Sequence, residues 1–371
     1  MGKISNIELT KFEDVTQPIY PYVKPTDYYK DLLGETSPVE AAMLSRIGFV
    51  KMVTDEGLAS YIPVSEPVAN FVAAISKSII GFDTSEITRA WDYLYRKTLP
   101  LGRSGLALHA ISALNILMFD LLGKEMGRPV YKLIGGSTRN GIRAYASHLH
   151  PLPVKELQKE ALDYVENGYR TMKMRFVAGP ADPFAMEKNI SLVKAIRDAV
   201  GYEIELAGDA WMSWNYNFAL FMISKLEKYE MRWIEEPLLP DDFQGFEDLT
   251  KKLVTPISSG EHHYHIYDFK RLLDCGVKIL QPDTTWVGGI TSMLKISALA
   301  EAYGAWIIPH SGNVYNLHFI LSQPESITPM AEYLTKYREW MEQHATGIPT
   351  PHRGYITLSD EPGFGVKHDF K

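Results

Sequence analysis

Through the second half of the chain, short apolar runs recur at near-constant spacing, and each ends in an acidic or imidazole side chain. Asp209 ends Ile204-Glu205-Leu206-Ala207-Gly208, and Glu235 ends Met231-Arg232-Trp233-Ile234. Glu261 ends Pro256-Ile257-Ser258-Ser259-Gly260, Asp283 follows Val277-Lys278-Ile279-Leu280-Gln281-Pro282, and His310 follows Ala305-Trp306-Ile307-Ile308-Pro309. Positions 209, 235, 261, 283 and 310 stand 26, 26, 22 and 27 residues apart. One strand, one helix and two loops need about this length, since strands average roughly 5–6 residues and helices roughly 11–12. The segments between, at 217–226 and 292–300, carry apolar residues at three- and four-residue spacing, as helices do. Successive β/α units of this kind form a parallel barrel, whose functional groups gather at the C-terminal strand ends. The spacing therefore predicts five ionisable groups aimed at one volume.

Barrel strands are expected near 142–147, 170–176, 203–208, 232–234, 255–258, 277–280, 305–308 and 332–334. A barrel takes about 250 residues, so a chain of 371 leaves room for a second region. Residues 4–9, 46–54 and 58–62 read as strands, with Asp55-Glu56-Gly57 as a hairpin turn. Helical patterns follow over 67–97, with Val68, Phe71, Val72, Ile75 and Ile79 on one face and Ile87, Trp91 and Leu94 on the next. A longer helix covers 105–126, and Gly127-Arg128-Pro129 stops it. Residues 1–135 thus read as a small α+β domain placed before a barrel at 136–335, with a tail at 336–371 expected to pack back on the first domain. The Pro- and Tyr-rich segment 17–40 is long for a simple connection, and reads either as a surface excursion or as a lid.

A net charge of −7 without a basic block argues against a phosphate-backbone partner, which needs clustered Lys and Arg. No uninterrupted apolar run reaches 18 residues, and the first residues lack a signal-like core. The single cysteine, Cys275, excludes an internal disulfide and suits a reducing interior. A cytoplasmic protein with a small-molecule substrate, and without nucleic-acid or membrane partners, is expected; a homo-oligomer is expected as well.

Asp209, Glu235 and Glu261 come from consecutive strand ends. Three adjacent anions repel, and a pocket tolerates them mainly with a cation between. All-oxygen ligation selects Mg²⁺. Zinc on His262, His263 and His265 is the alternative, but neighbours on an extended run face opposite ways. Asp283 and His310 follow on the next two strands, where a carboxylate can fix the imidazole's tautomer and leave its other nitrogen to take a proton. Taken singly, each also reads as an ordinary turn or rim residue. Lys173 and Arg175 share a side of the second strand and can neutralise a bound carboxylate; Lys173 could act as a base only if its pKa fell. Metal, base and cations together suit removal of the proton next to a carboxylate.

The residues resemble a known family. Asp120-Leu121-Leu122-Gly123-Lys124 with Gly127-Arg128-Pro129, then Trp233-Ile234-Glu235-Glu236-Pro237, Ser259-Gly260-Glu261-His262, Gln281-Pro282-Asp283 and Pro309-His310, resemble the enolase superfamily, mandelate-racemase-like group, over nearly the whole chain. The resemblance implies a (β/α)7β modified TIM barrel under an α+β N-terminal capping domain that the C-terminal tail completes. It implies Asp209, Glu235 and Glu261 as ligands of one Mg²⁺ per subunit, and Asp283 with His310 as the base dyad. Lys173, Arg175, His262 and Glu332 are the implied substrate contacts; a rim ion pair is the plainer reading of Glu332.

Within the group, Asp209-Ala210-Trp211-Met212-Ser213-Trp214 and Thr285-Trp286-Val287-Gly288-Gly289 look most like the sugar-acid dehydratases of the L-rhamnonate type. That implies an aldonate dehydrated to a 2-keto-3-deoxy acid. The racemases of the group carry Lys-x-Lys on the second strand, whereas this chain has Lys173-Met174-Arg175. Racemisation needs a base on each face and elimination needs one. A racemase, epimerase or cycloisomerase on the same fold is one alternative, and an inactive sugar-acid-binding or regulatory protein is the other.

Overall fold

A computed structural model describes residues 1–15, 22–29, 46–334 and 342–368. The segment read as a possible lid, 17–40, lies outside the described residues except for 22–29.

The N-terminal region is built on an antiparallel sheet. Strands β1 (Ile4–Leu9), β2 (Glu13–Asp14) and β4 (Ala59–Ser65) each pair with β3 (Arg46–Thr54). The β3–β4 turn closes where expected, with Gly57 at φ +83 donating its N–H to Thr54 at 3.0 Å. Helices Glu66–Ile75, Ile87–Thr98 and Leu106–Glu125 follow; of the expected faces Val68, Val72 and Ile75, then Ile87, Trp91 and Leu94, are buried in the first two helices, while Phe71 is half-buried and Ile79 is buried in the turn after the first. Helix Leu106–Glu125 is apolar almost all round and long enough to cross a bilayer, with a mean hydropathy of 1.7, yet 83 % of that stretch is buried inside the protein. It serves as a core helix wedged between the sheet and the barrel.

Eight parallel strands follow: β5 (Ile142–Leu149), β6 (Thr171–Arg175), β7 (Glu205–Asp209), β8 (Met231–Glu235), β9 (Ile257–Ser259), β10 (Ile279–Leu280), β11 (Trp306–Ile307) and β12 (Ala331–Tyr333). Each of the first seven precedes a helix, the last being Val314–Ser322, which gives the (β/α)7β barrel. Ladders run without a break from β12 through β5 to β11, and the Ile307 N–H donates to the Ile327 carbonyl at 2.8 Å where the ends of that run meet. All eight strands fall at the expected positions, though the ladders of β9, β10 and β11 span only two or three residues.

Strand side chains alternate, so the residue two before each expected site residue faces the barrel axis with it. Ala207, Trp233, Ile308 and Met330 stand two before Asp209, Glu235, His310 and Glu332. With Tyr145 and Ile279 they form a buried apolar layer, in which the Tyr145 and Trp233 rings meet edge to face at 5.5 Å. The polar site rests on this floor.

The tail touches both halves. Tyr355 pairs antiparallel with Arg143 on β5, and the His368 ring lies 5.0 Å from Phe49 on β3. Between them, the Phe364 N–H donates to Asp120 Oδ1 at 2.9 Å and the Phe364 ring lies 4.8 Å from Tyr315.

Candidate active site

Strand register sets the height of the first groups. Arg175 pairs opposite Asp209, and Asp209 opposite Glu235. Glu261, Asp283 and His310 stand just beyond β9, β10 and β11, so all five expected groups reach the C-terminal mouth, and all are buried.

Cations and anions interlock there. Lys173 Nζ donates to Glu235 Oε1 and Oε2 at 2.8 and 2.7 Å, lies 2.8 Å from Glu332 Oε1 and 3.6 Å from Asp209 Oδ2. Burial opposes its charge, but Glu235 and Glu332 outweigh burial and raise its pKa, so the fall that base chemistry would require does not occur. Arg175 Nη1 lies 3.0 Å from Asp209 Oδ2 and its guanidinium sits 5.1 Å over the Tyr22 ring. Glu332 also accepts the Ser311 N–H at 2.6 Å; Lys173 overcomes burial and holds its carboxyl well below the usual range.

The opposite wall carries the dyad. Asp283 Oδ2 lies 3.0 Å from His310 Nδ1 and accepts from Ser311 Oγ at 2.9 Å, while Oδ1 accepts from the Thr285 N–H at 2.7 Å, from Thr285 Oγ1 at 2.6 Å and from Asn313 Nδ2 at 3.2 Å. A carboxylate so fully committed puts the imidazole proton on Nδ1 and leaves Nε2 to accept another. His310 Nε2 points at Glu261 Oε2, 3.3 Å away. Burial opposes protonation of His310, but the Glu261 charge and the Asp283 hydrogen bond raise its pKa to about 10; a dication held by Glu261 would offset the larger of those two pulls and favour the neutral ring that a base requires.

The residues fit a hard dication. Asp209 Oδ2 and Glu261 Oε2 are buried and have ion-pair neighbours, Arg175 Nη1 at 3.0 Å and His310 Nε2 at 3.3 Å, but no well-directed hydrogen bond. Burial and the facing Asp209, Glu332 and Glu261 carboxylates push Glu235 up to about 8 against the pull of Lys173. Among the described residues, Arg175 holds Asp209, Lys173 holds Glu235 and Glu261 faces His310, so the three expected ligands do not gather as closely as Glu236, Glu261 and His262 do; their hard carboxylate oxygens are nonetheless the donors that Mg²⁺ or Ca²⁺ takes.

Glu236, passed over in the sequence, also belongs here. It sits in the left-handed region at φ +41, and its Oε2 lies 2.8 Å from His262 Nδ1. Glu236, Glu261 and His262 have donor atoms within 4.8 Å of one another. His262 and His263 do face opposite ways: His263 Nε2 lies 3.0 Å from the Pro240 carbonyl, away from the site. The three histidines therefore do not converge on zinc. Trp211, Met212, His265 and Ser311 share the positive φ of Glu236, a clustering of backbone strain at the strand ends that is common around functional sites.

Two further groups were not anticipated. Ser147, His148, His150 and Tyr22 line a pocket with Lys173 and Arg175, and the His148-x-His150 spacing at the end of β5 was the available signal. Trp286 packs its indole 5.1 Å from the His310 ring and 5.7 Å from His262.

The two halves also match family descriptions. Residues 37–135 match the mandelate racemase / muconate lactonizing enzyme N-terminal domain, and residues 156–371 match the enolase C-terminal domain-like family. The chain belongs to the enolase superfamily, in its mandelate racemase group. L-rhamnonate dehydratase of Saccharopolyspora erythraea is 35 % identical over 318 residues, covering 81 % of this chain and 77 % of that protein. The crystal structure of rhamnonate dehydratase from Gibberella zeae complexed with Mg superposes with a TM-score of 0.88 at 26 % identity, covering 99 % of this chain and 94 % of that one. The L-talarate/galactarate dehydratase of Salmonella typhimurium LT2 gives a TM-score of 0.82 at 26 % identity, covering 99 % and 90 %.

Proposed function

We propose that this chain is a carbon–oxygen lyase that removes water from an aldonic acid of the L-rhamnonate type, yielding the 2-keto-3-deoxy acid. The observation that carries the reading is the Asp283–His310 pair, which leaves one imidazole nitrogen directed at the carboxylate cluster. Across the mouth stand Arg175, which stays protonated, and Lys173, which is fully occupied by carboxylates. His310 thus stands as a base on one wall, while neither second-strand cation opposite it can serve as the second base that two-face racemisation requires, and elimination needs only one.

Asp209, Glu235 and Glu261 would hold one Mg²⁺, which when bound draws charge from the substrate carboxylate and makes the adjacent hydrogen more acidic. Arg175 binds that carboxylate, with Lys173 behind it neutralising Glu235 and Glu332, and His262 and Glu332 border the sugar. His310 Nε2 takes the C2 proton while Asp283 holds the ring tautomer. The imidazolium then returns that proton to the C3 hydroxyl, which leaves as water as its C–O bond breaks. The enol left behind rearranges to the 2-keto acid.

In the same reading residues 1–135 and the tail 336–371 form a cap over the barrel at 136–335, and the enzyme works in the cytoplasm as a homo-oligomer, without nucleic-acid or membrane partners. The relatives named as L-rhamnonate dehydratases support the choice of substrate class.

The test is a screen of the purified protein with Mg²⁺ against four- to six-carbon aldonic and aldaric acids, detecting 2-keto acid. Dehydration of an aldonate that is lost in His310→Asn supports the reading. C2 epimerisation as fast as water loss would favour an epimerase, and tight calorimetric binding without product would favour a binding protein.

A further inference from the structure

Helix Leu106–Glu125 grips the loop that follows Asp283. Ser112 Oγ accepts the Gly288 N–H at 2.8 Å, Asn115 Oδ1 accepts the Thr291 N–H at 3.2 Å, and Asn115 Nδ2 donates to Thr291 Oγ1 at 2.8 Å. From the helix before it, Trp91 Nε1 donates to the Gly288 carbonyl at 2.7 Å. The approach is so close that a Cβ on Gly289 would stand 2.3 Å from Asn115 Oδ1.

His109 lies three residues before Ser112, on the same side of the helix. Its ring stacks on Trp286, with centroids 5.2 Å apart and planes within 17°. Trp286 is held at the dyad by its own backbone, since the Trp286 and Val287 N–H groups both donate to the Asp283 carbonyl at 2.9 Å. Two rings 177 positions apart in the chain thus continue into a third, the His310 imidazole.

Asp283 holds one ring nitrogen of His310 and Glu261 faces the other at 3.3 Å, but neither contact supports the face of the ring. What limits a tilt of the ring is the Trp286 indole, which abuts the imidazole with centroids 5.1 Å apart and planes inclined at 45°. The indole in turn needs support. Burial holds the His109 pKa down at about 4, so it offers a neutral flat ring and not a second cation.

We propose that His109 is a positioning residue for the reaction: stacked on Trp286, it presses the indole against His310 and sets the plane in which that imidazole meets the substrate. This rests on the reading of His310 as the base.

The experiment compares His109→Ala, His109→Leu and His109→Phe in the Mg²⁺-loaded enzyme, on an aldonate that the wild-type chain dehydrates. The Ala and Leu variants are expected to lower kcat by about 10- to 100-fold, the effect of a small misplacement of a reacting group, with KM little changed. Both should raise the isotope effect on kcat for substrate deuterated at C2, whereas the Phe variant, which keeps a flat ring, restores most of kcat. Leu retains most of the histidine volume and gives the reading if the Ala variant fails to fold. A Leu variant with wild-type kcat, or a Phe variant as slow as Leu at unchanged Tm, overturns the proposal. Carbethoxylation of His310 by diethyl pyrocarbonate in the Mg²⁺-loaded enzyme, where the Glu261 charge is offset and the ring is neutral, followed by mass spectrometry, reads the same contact without substrate. It should run faster in Leu than in wild type or Phe, and equal rates would also overturn it. Turnover surviving in His310→Asn would instead remove the base assignment, while faster carbethoxylation would still establish the stack.

Discussion

Lys173 donates to both carboxylate oxygens of Glu235, at 2.8 and 2.7 Å, from two strands away in the barrel. Removing the ammonium leaves Asp209, Glu235 and Glu332 buried with one cation fewer. Losing one partner of a buried ion pair costs about 3–5 kcal/mol. Lys173→Met is expected to lose about this much stability in chelator and less in excess Mg²⁺, because a ligand that binds only the native state adds stability. Denaturant titrations under both conditions check it, and an equal loss in both would separate the metal from Glu235.

Asp283 holds His310 through Nδ1. In Asp283→Asn the amide can present its NH₂ group to that nitrogen, which moves the ring proton to Nε2 and leaves no acceptor for the substrate proton. The expected loss in kcat is about 10³- to 10⁴-fold, the scale seen when a histidine base is put in the wrong tautomer. Calorimetric Mg²⁺ affinity should stay close to wild type, and a parallel loss of affinity would count against the division of roles.

His318 sits at the seam of barrel, tail and N-terminal region, where its Nδ1 accepts the Tyr131 N–H at 3.1 Å. Burial depresses its pKa to about 3 and that of His109 to about 4. The unfolded chain then binds more protons than the folded one below the ordinary histidine pKa of about 6.5, so stability is complete above that pH and falls as pH falls through it. Each such group steepens the fall by up to about 1.4 kcal/mol per pH unit. His310, His262 and Glu235, whose pKa values rise to about 10, about 9 and about 8, work the other way: the fold holds the extra proton, so their contribution is lost as pH rises through those values and grows as pH falls. Unfolding midpoints measured between pH 7 and pH 5 should therefore lose less on acidification in His318→Gln than in the wild type; an unchanged slope would mean that His318 is protonated in the fold.

Trp233 is completely buried in the apolar layer beneath Glu235. Emptying that place should cost about 3–5 kcal/mol, as large-to-small changes of aromatic core residues do. Chemical denaturation of Trp233→Ala measures the loss, and a cost below about 1 kcal/mol would show that the floor is not close-packed.

The barrel and five groups of its site were legible because both follow from repetition along the chain: a period near 26 residues places the strands, and a period of two places Asp209 above Ala207 and Glu235 above Trp233. Glu236 escaped because, two-fold alternation continued, it should point away from the site; the left-handed turn at φ +41 brings it back toward His262. Trp286 and His109 escaped for a different reason. Their contact joins a helix of the first region to a loop of the second, and no local pattern encodes a pairing across that distance. The commitment of Lys173 to Glu332 was hidden likewise, since it required β12 and β6 to flank the same first strand.

Arg175, Asp209 and Glu235 stand level across three adjoining strands. Deleting or inserting a single residue within β7 would rotate Asp209 outward among the helices and bring a neighbour into its place, because side chains swap faces at every step. Natural length variation in this barrel should thus be confined to the return loops on its far side, and drift in substrate preference should proceed by replacement of side chains at the mouth while strand lengths stay fixed.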